Sequence, residues 1–470
     1  MKRNWILLVV ALVALLAFAA CNRNDGTDGG VGGAAADGGG AAASDGGGAA
    51  VADGGAAGGR QTINVWAFTD EVPNMINRYL ELNPDFASRY QINATIIATD
   101  GGGYQPALDT ALASGGSNAP DLFMAESAFV VRNTQGDMSR FAMSYSELGI
   151  ENLEQRIADA QIAQYIVDLG SRDGEVVGLA FQMTGGAVIY RRSIAQAVWG
   201  NDDPEFVRTR IGPGWGRFME AAAEMDAAGF SMVSGAGDIW QAVRNTGGSW
   251  VVNGALDIHP DRMAMFDHAR ILYENGWMND ANGWSEAWFA DMSDSGVRPV
   301  FAFLGPAWLI NYVMAGNANE TYGDWAIAVP PVGFTWGGTW LIPNAGMNPD
   351  VRDGVREIVE WITLDTSENG LQHHWANGTL FGEGGTKDAV ASAVVMAGAD
   401  GTLDFLGGQD MFDVFIPAGQ YADGTLFTQY DEDMNQWFMD HSMYYARGDM
   451  TREESIASFR LNVSENLGIN

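Results

Sequence analysis

One cysteine and two lysines are all that 470 residues supply of either type. A lone thiol, Cys21, excludes an intramolecular disulfide and makes structural or redox use of the sulfur improbable. With only Lys2 and Lys387, basic residues number 25 against 59 acidic ones, a formal charge of −34. A surface of that sign repels nucleic acid and anionic lipid, so neither is expected as a partner of the folded part. Histidine is scarce too: His373 and His374 are neighbours whose side chains splay apart, while His259, His268 and His441 have no Cys or His at ligand spacing. No metal site and no cofactor are expected. Gly212 to Gly216 lacks the Gly-Lys-Ser/Thr ending of a phosphate loop, and no G-x-S-x-G elbow occurs. Paired carboxylates are abundant, so composition by itself leaves a glycosidase open.

What is present begins with Lys2 and Arg3, an apolar run from Trp5 to Ala20, and then Cys21. Two cations, 16 apolar residues and small residues before the cysteine form a secretory signal over 1–20. A membrane-spanning helix usually needs about 20 apolar residues, and no later run is long enough to span. The stretch Phe18 to Cys21 (FAAC) resembles the bacterial lipobox, which implies that Cys21 carries lipid and starts the mature chain. A diacylglyceryl group holds a membrane far better than one acyl chain. Residues 21–59 read as the lipidated cysteine and a tether: Asn22 to Gly59 holds 15 Gly and 11 Ala with no aromatic residue, too little apolar surface to offset ordering entropy. Such a chain reaches about 34 Å on average. The expected location is the outer face of the bacterial cell membrane.

Beyond Arg60 the chain is long enough for two lobes. Thr62 to Phe68 alternates as a strand, Val72 to Leu82 has helical spacing and stops at Asn83-Pro84, Ile92 to Ala98 is a second strand, and Pro120 to Ala125 a third. These strands alternating with helices predict a parallel sheet covered on both faces. Later strands are expected at Val176–Phe181, Val188–Arg191 and Arg298–Leu304, and Trp325–Val329 leads through Pro330-Pro331 to Gly337–Pro343. Helices are expected over 349–364, 432–445 and 451–466.

Four local patterns now gain meaning together: PDLFMA at Pro120 to Ala125, GLAFQMTGGAVIYRR at Gly178 to Arg192, GPAW at Gly305 to Trp308, and GGTWLIP at Gly337 to Pro343. Their order and spacing resemble the family 1 extracellular solute-binding proteins, the carbohydrate receptors of ABC importers that include maltose-binding protein. The resemblance covers nearly everything from Thr62 onward. It implies an α/β, two-lobed periplasmic-binding-protein-like fold whose hinged lobes enclose a ligand cleft. It also implies crossings at Gln182–Gly186, Ala302–Gly305 and Gly338–Ile342, with Gln182, Gly185, Gly305 and Gly338 as hinge residues. The N-terminal lobe would be 60–182 plus 305–338, and the C-terminal lobe 183–304 plus 339–470.

A sugar presents apolar C–H faces and a rim of hydroxyls, so stacking rings and a few polar side chains recognise it. Ligands bind at strand ends in open α/β sheets. The candidates are therefore Trp66, Phe68, Asp70 and Glu71 after the first strand and Glu126 after the third. Trp240 and Trp250 flank the polar stretch Arg244 to Ser249 and are expected to line the second lobe, with Trp308 and Trp340 near the crossings. The leading expectation is a monomeric, lipid-anchored receptor, not an enzyme, that takes a sugar or oligosaccharide and hands it to the membrane subunits of an ABC permease. The rivals are a receptor for a cationic solute, polyamine or peptide, and a secreted glycan-active enzyme or adhesin.

Overall fold

In a computed structural model, residues 59–99 and 102–470 are described. The expected signal segment, Cys21 and the tether up to residue 58 lie outside them. Strand β1 (Gln61–Ala67) turns Ile63, Val65 and Ala67 inward and leaves Thr62, Asn64 and Trp66 half-buried, the period of two that its sequence carries. Helix α1 (Glu71–Leu82) buries Val72, Met75 and Ile76 on one face. Next come β2 (Tyr90–Ile96), α2 (Tyr104–Ser114) and β3 (Leu122–Glu126). Strands β1, β2 and β3 are parallel, with Val65 opposite Leu122 and Ile63 opposite Ile92.

The expected strand 176–181 is broken, and only Leu179–Ala180 (β4) joins this sheet. The chain then passes through residues 181–186 into β5 (Ala187–Arg191), the centre of a second sheet. That sheet is completed by β6 (Ser231–Val233), followed by helix α3 (Ala236–Val243), then β7 (Val300–Gly305) and β8 (Trp325–Ala328). Its order is β8-β5-β7-β6. Residues 329–338 lead back to β9 (Thr339–Pro343), which enters the first sheet between β3 and β4, giving the order β2-β1-β3-β9-β4.

The three strands of the alternating segment are parallel, as expected, but strands from later in the chain make neither complete sheet wholly parallel. Strand β9 runs against β3 and β4, and β5 runs against both β7 and β8. A strand arriving from the other lobe enters its sheet from the far end without a right-handed helical crossover, so it pairs antiparallel.

Pairing also corrects the expected lobe boundaries. Gly305 is hydrogen-bonded opposite Ala187 inside the second sheet, and β8 returns to that sheet, so Ala302–Gly305 is no crossing and residues 305–328 stay with the second lobe. Residues from Thr339 join the first lobe instead of the second. Helix α4 (Arg352–Thr363) sets Val355, Ile358, Val359 and Ile362 at helical spacing into the first lobe's core. The chain later returns to the second sheet, where Phe405 stacks on Trp325 and Gln409 bonds to the Ile327 backbone. It then reaches helices α5 (Asp431–Ala446) and α6 (Arg452–Leu467), whose Met434, Phe438 and Phe459 lie in the second core.

Alternation in β5 divides the two cores: Ala187 and Ile189 face the first, Val188 and Tyr190 the second. Strands buried on both faces read as continuous apolar runs, which is why AVIYR and VFAFLG carry no polar phase. Among the described residues no helix is long and apolar enough to cross a membrane.

Candidate functional site

The parallel strands β1 and β3 end on the same side of the first sheet. Past β1 lie Phe68, Asp70 and Glu71; past β3 comes the turn Glu126 to Phe129. Helix α2 starts beside them, and its Tyr104 hydroxyl donates to the carbonyls of Met124 at 2.7 Å and Trp66 at 3.2 Å. Phe68 meets Tyr104 and Phe129 edge-on at 5.8 and 6.1 Å, and Trp66 is half-buried at the strand end. Asp70 is exposed and accepts from Asn74 Nδ2. Glu126 turns back on its own loop, accepting from Ser127 Oγ at 2.7 Å and the Ala128 amide at 2.9 Å.

The facing wall comes from the second lobe. Arg244 and Asn245 follow α3, Arg262 lies beneath them, and the first turns of α5 bring Asp431 and Asn435. Together with Ser127, Ala128, Leu426 and Phe427 these residues line a small cavity between the lobes. Beside it Gln105 Nε2, on α2, donates to Glu432 Oε2, on α5, at 2.6 Å, joining one lobe to the other. Burial pushes the Asp431 carboxyl up to about 6 against the pull of the Thr428 hydroxyl and amide, Arg262 and Arg244. Burial also raises Glu432, followed in effect by the Gln105 bond that opposes it.

Three of the tryptophans expected in the cleft are core residues instead. Trp240 is turned inward by the apolar face of α3 and stacks on Phe438 at 5.5 Å. Trp340 sits in β9 between two strands, wholly buried, its Nε1 donating to the Ile166 carbonyl. Trp250 is also wholly buried. It supports the cavity from behind, donating from Nε1 to Asn435 Oδ1 at 3.0 Å and carrying the Arg262 guanidinium over its ring at 4.0 Å.

Trp308 lies where the lobes meet. Its Nε1 donates to the Trp336 carbonyl at 2.9 Å, and its ring stacks 9° from parallel on Trp284, with centroids 6.2 Å apart. Trp284 is 53 % exposed and offers an open indole face. Gly337 makes room for this arrangement: its φ is +82°, and a Cβ there would stand 2.9 Å from Trp308 Nε1. Trp284 and Trp336 were not among the sequence candidates. The signal for Trp284 was available, a tryptophan in the polar turn Asn282-Gly283-Trp284-Ser285.

Gln182 and Gly185 lie in the first passage between the sheets, and Gly338, with φ +107°, precedes β9 in the second. Gly185 bridges to Thr335, so the two passages run side by side. The Gln182 amide reaches Glu71 Oε1 at 3.4 Å and also bonds to Asp388. Burial pushes Glu71 up to about 8, helped by the charges of Asp388 and Asp70. Burial likewise takes Asp388 to about 7. Among the described residues no three His, Cys, Asp or Glu side chains are grouped as metal ligands. The cavity offers donors and acceptors, and Trp284, stacked on Trp308, offers an open indole face, the kinds of group that hold a polar guest with an apolar side.

Sequence comparison matches residues 81–400 to the family model of the bacterial extracellular solute-binding proteins. No curated protein matches the chain. Among solved structures, a family 1 extracellular solute-binding protein superposes with a TM-score of 0.67 at 17% identity, covering 85% of this chain and 98% of that one. The galacto-N-biose-/lacto-N-biose I-binding protein of the ABC transporter from Bifidobacterium longum, in complex with lacto-N-biose, gives 0.64 at 16% identity over 88% and 100% of the two chains. The sugar-binding protein MalE from Xanthomonas citri gives 0.63 at 12% identity over 86% and 97%. The shared feature is the two-lobed α/β fold.

Proposed function

We propose, from the premise that this chain belongs to the bacterial extracellular solute-binding protein family, that it captures a saccharide between its lobes and releases it unchanged to an ABC permease. The observation that carries this reading is the cavity whose walls come from both lobes, Ser127 and Ala128 on one side and Arg244, Asn245 and Asn435 on the other. A guest that enters between these walls with the lobes apart touches both halves as they close, so binding favours the closed arrangement by the contacts that only closure supplies. The Trp284 face on Trp308 and the polar side chains at the strand ends suit the two surfaces of a sugar ring. Two of the structures sharing the fold are a lacto-N-biose complex and a sugar-binding protein, which supports the same ligand class. Trp66, Phe68, Asp70, Glu71, Glu126 and Trp308 remain the candidates from the original set that stand near the cleft or the crossings.

Titration calorimetry with a panel of mono- and oligosaccharides, paired with solution scattering, tests the proposal. The expected result is a heat of binding and a smaller radius of gyration with at least one saccharide. Silence across the panel together with contraction on a polyamine or peptide would replace the reading. The anchor belongs to the same proposal: with Cys21 changed to Ser, the protein is expected in the soluble fraction instead of with membranes, and continued membrane association would refute lipid attachment there.

A further inference from the structure

The two arginines of the cavity are the groups whose bonding capacity the protein leaves unused. Arg262 is 3 % exposed. Its Nη2 donates to the carbonyls of Arg244 at 3.1 Å and Gly248 at 2.8 Å, while Nε and Nη1 are buried with no partner. Arg244 lines the same cavity, and among the described residues neither guanidinium has a carboxylate within the 4.0 Å of an ion pair. Burying a cation without filling its donors is costly unless something else fills them.

The carboxylates nearby are in the opposite condition. Glu126 accepts from Ser127 Oγ and the Ala128 amide, Asp431 from the Thr428 amide at 2.9 Å and hydroxyl at 2.6 Å, and Glu432 from Gln105. Glu126 and Asp431 act on Arg244, and Asp431 and Asp257 on Arg262, only at longer range. Asn435 Oδ1 is taken by Trp250 Nε1, which leaves its amide N–H groups to donate. The carboxylates of Glu126, Asp431 and Glu432 thus already accept bonds, whereas Arg262 Nε and Nη1 are buried without an acceptor.

We infer that the bound saccharide carries a carboxylate, as a uronic acid does, and that Arg244 and Arg262 receive it. A guanidinium fork matches a carboxylate in geometry as well as charge, and the pair gains strength in a site with little water. A polyamine has no acceptor to offer these free guanidinium donors, so the cationic rival is disfavoured at this cavity despite the acidity of the whole chain. The inference rests on the reading of the chain as a saccharide receptor and narrows its ligand class.

The test compares three probes on the full-length body: a di-uronide, its neutral methyl ester of the same shape, and an uncharged disaccharide of the same linkage. The wild type should bind the di-uronide at least about tenfold more tightly than the ester. Arg244→Gln and Arg262→Gln should bring acid and ester close to parity. Arg244→Gln is the safer variant, because its side chain makes no bond that the fold uses; melting curves establish that each variant is folded. Equal or tighter binding of the ester, or a preference that survives both substitutions, overturns the inference. Binding of the uncharged disaccharide alone leaves the receptor reading standing and removes this one, whereas no binding of any probe counts against both.

Discussion

Tryptophan shows how little residue type says about role. Trp240, shortly before the polar stretch Arg244 to Ser249, and Trp284, in a polar turn, are both tryptophans near polar segments, yet one stacks on Phe438 inside the second core and the other stands half in solvent on Trp308. Their alanine variants should therefore fail in different assays. Trp240→Ala should lower unfolding stability by about 3 to 5 kcal/mol in denaturant titration, the usual cost of emptying a buried aromatic site. Trp284→Ala should leave that stability within about 0.5 kcal/mol, as exposed substitutions do, while weakening saccharide binding by about 1 to 3 kcal/mol. The reverse pattern would return Trp240 to the ligand and remove Trp284 from it. Glu71 was readable as a polar residue at a strand end, but its neighbours were not. Asp388 is 317 positions away in sequence, and only folding brings it under the Gln182 amide.

At the level of elements, strand cores and amphipathic helices were legible because burial imposes a period on the sequence. Helix α4 was expected over 349–364 and spans Arg352–Thr363; α5 and α6 each lie within about a residue of expectation. Pairing was not legible. GGTWLIP was expected to lead into the second lobe, yet β9 hydrogen-bonds to β3 and β4, since a strand's neighbours depend on where the preceding passage delivers it. The contact between α2 and α5 is likewise tertiary. Gln105→Ala removes the lobe-to-lobe bond to Glu432, a loss of about 1 kcal/mol from the closed form. Saccharide dissociation should speed up by about fivefold in stopped-flow while the melting temperature of the unliganded protein holds. An unchanged dissociation rate would show that closure does not use this bond.

The whole molecule is strongly acidic, and its buried carboxyls give that acidity a stability consequence. Glu71, raised from 4.5 to about 8, and Asp388, raised from 3.8 to about 7, hold protons more tightly folded than unfolded. Asp238, buried against Trp288 Nε1 and the Gly235 amide, is raised to about 7. A raised carboxyl makes the native state bind more protons, so stability declines as pH climbs from near 4 towards 8. Repulsion within a chain of charge −34 acts in the same direction. Melting temperatures should fall between pH 5 and pH 8, and Glu71→Gln, neutral throughout, should flatten part of that fall; identical slopes in both proteins would contradict the buried-pair account. The primary structure by itself determined the chain's sign of charge, the absence of a disulfide, the positions of most strands and helices, and the order of motifs that marks a two-lobed receptor. All of these are local, because they depend on residue chemistry and short-range period. Tertiary structure alone decided which strands pair, where the lobes begin and end, which tryptophans face the cleft, and that two arginines there keep free donors. Such properties depend on groups far apart in sequence competing for the same space and the same hydrogen bonds.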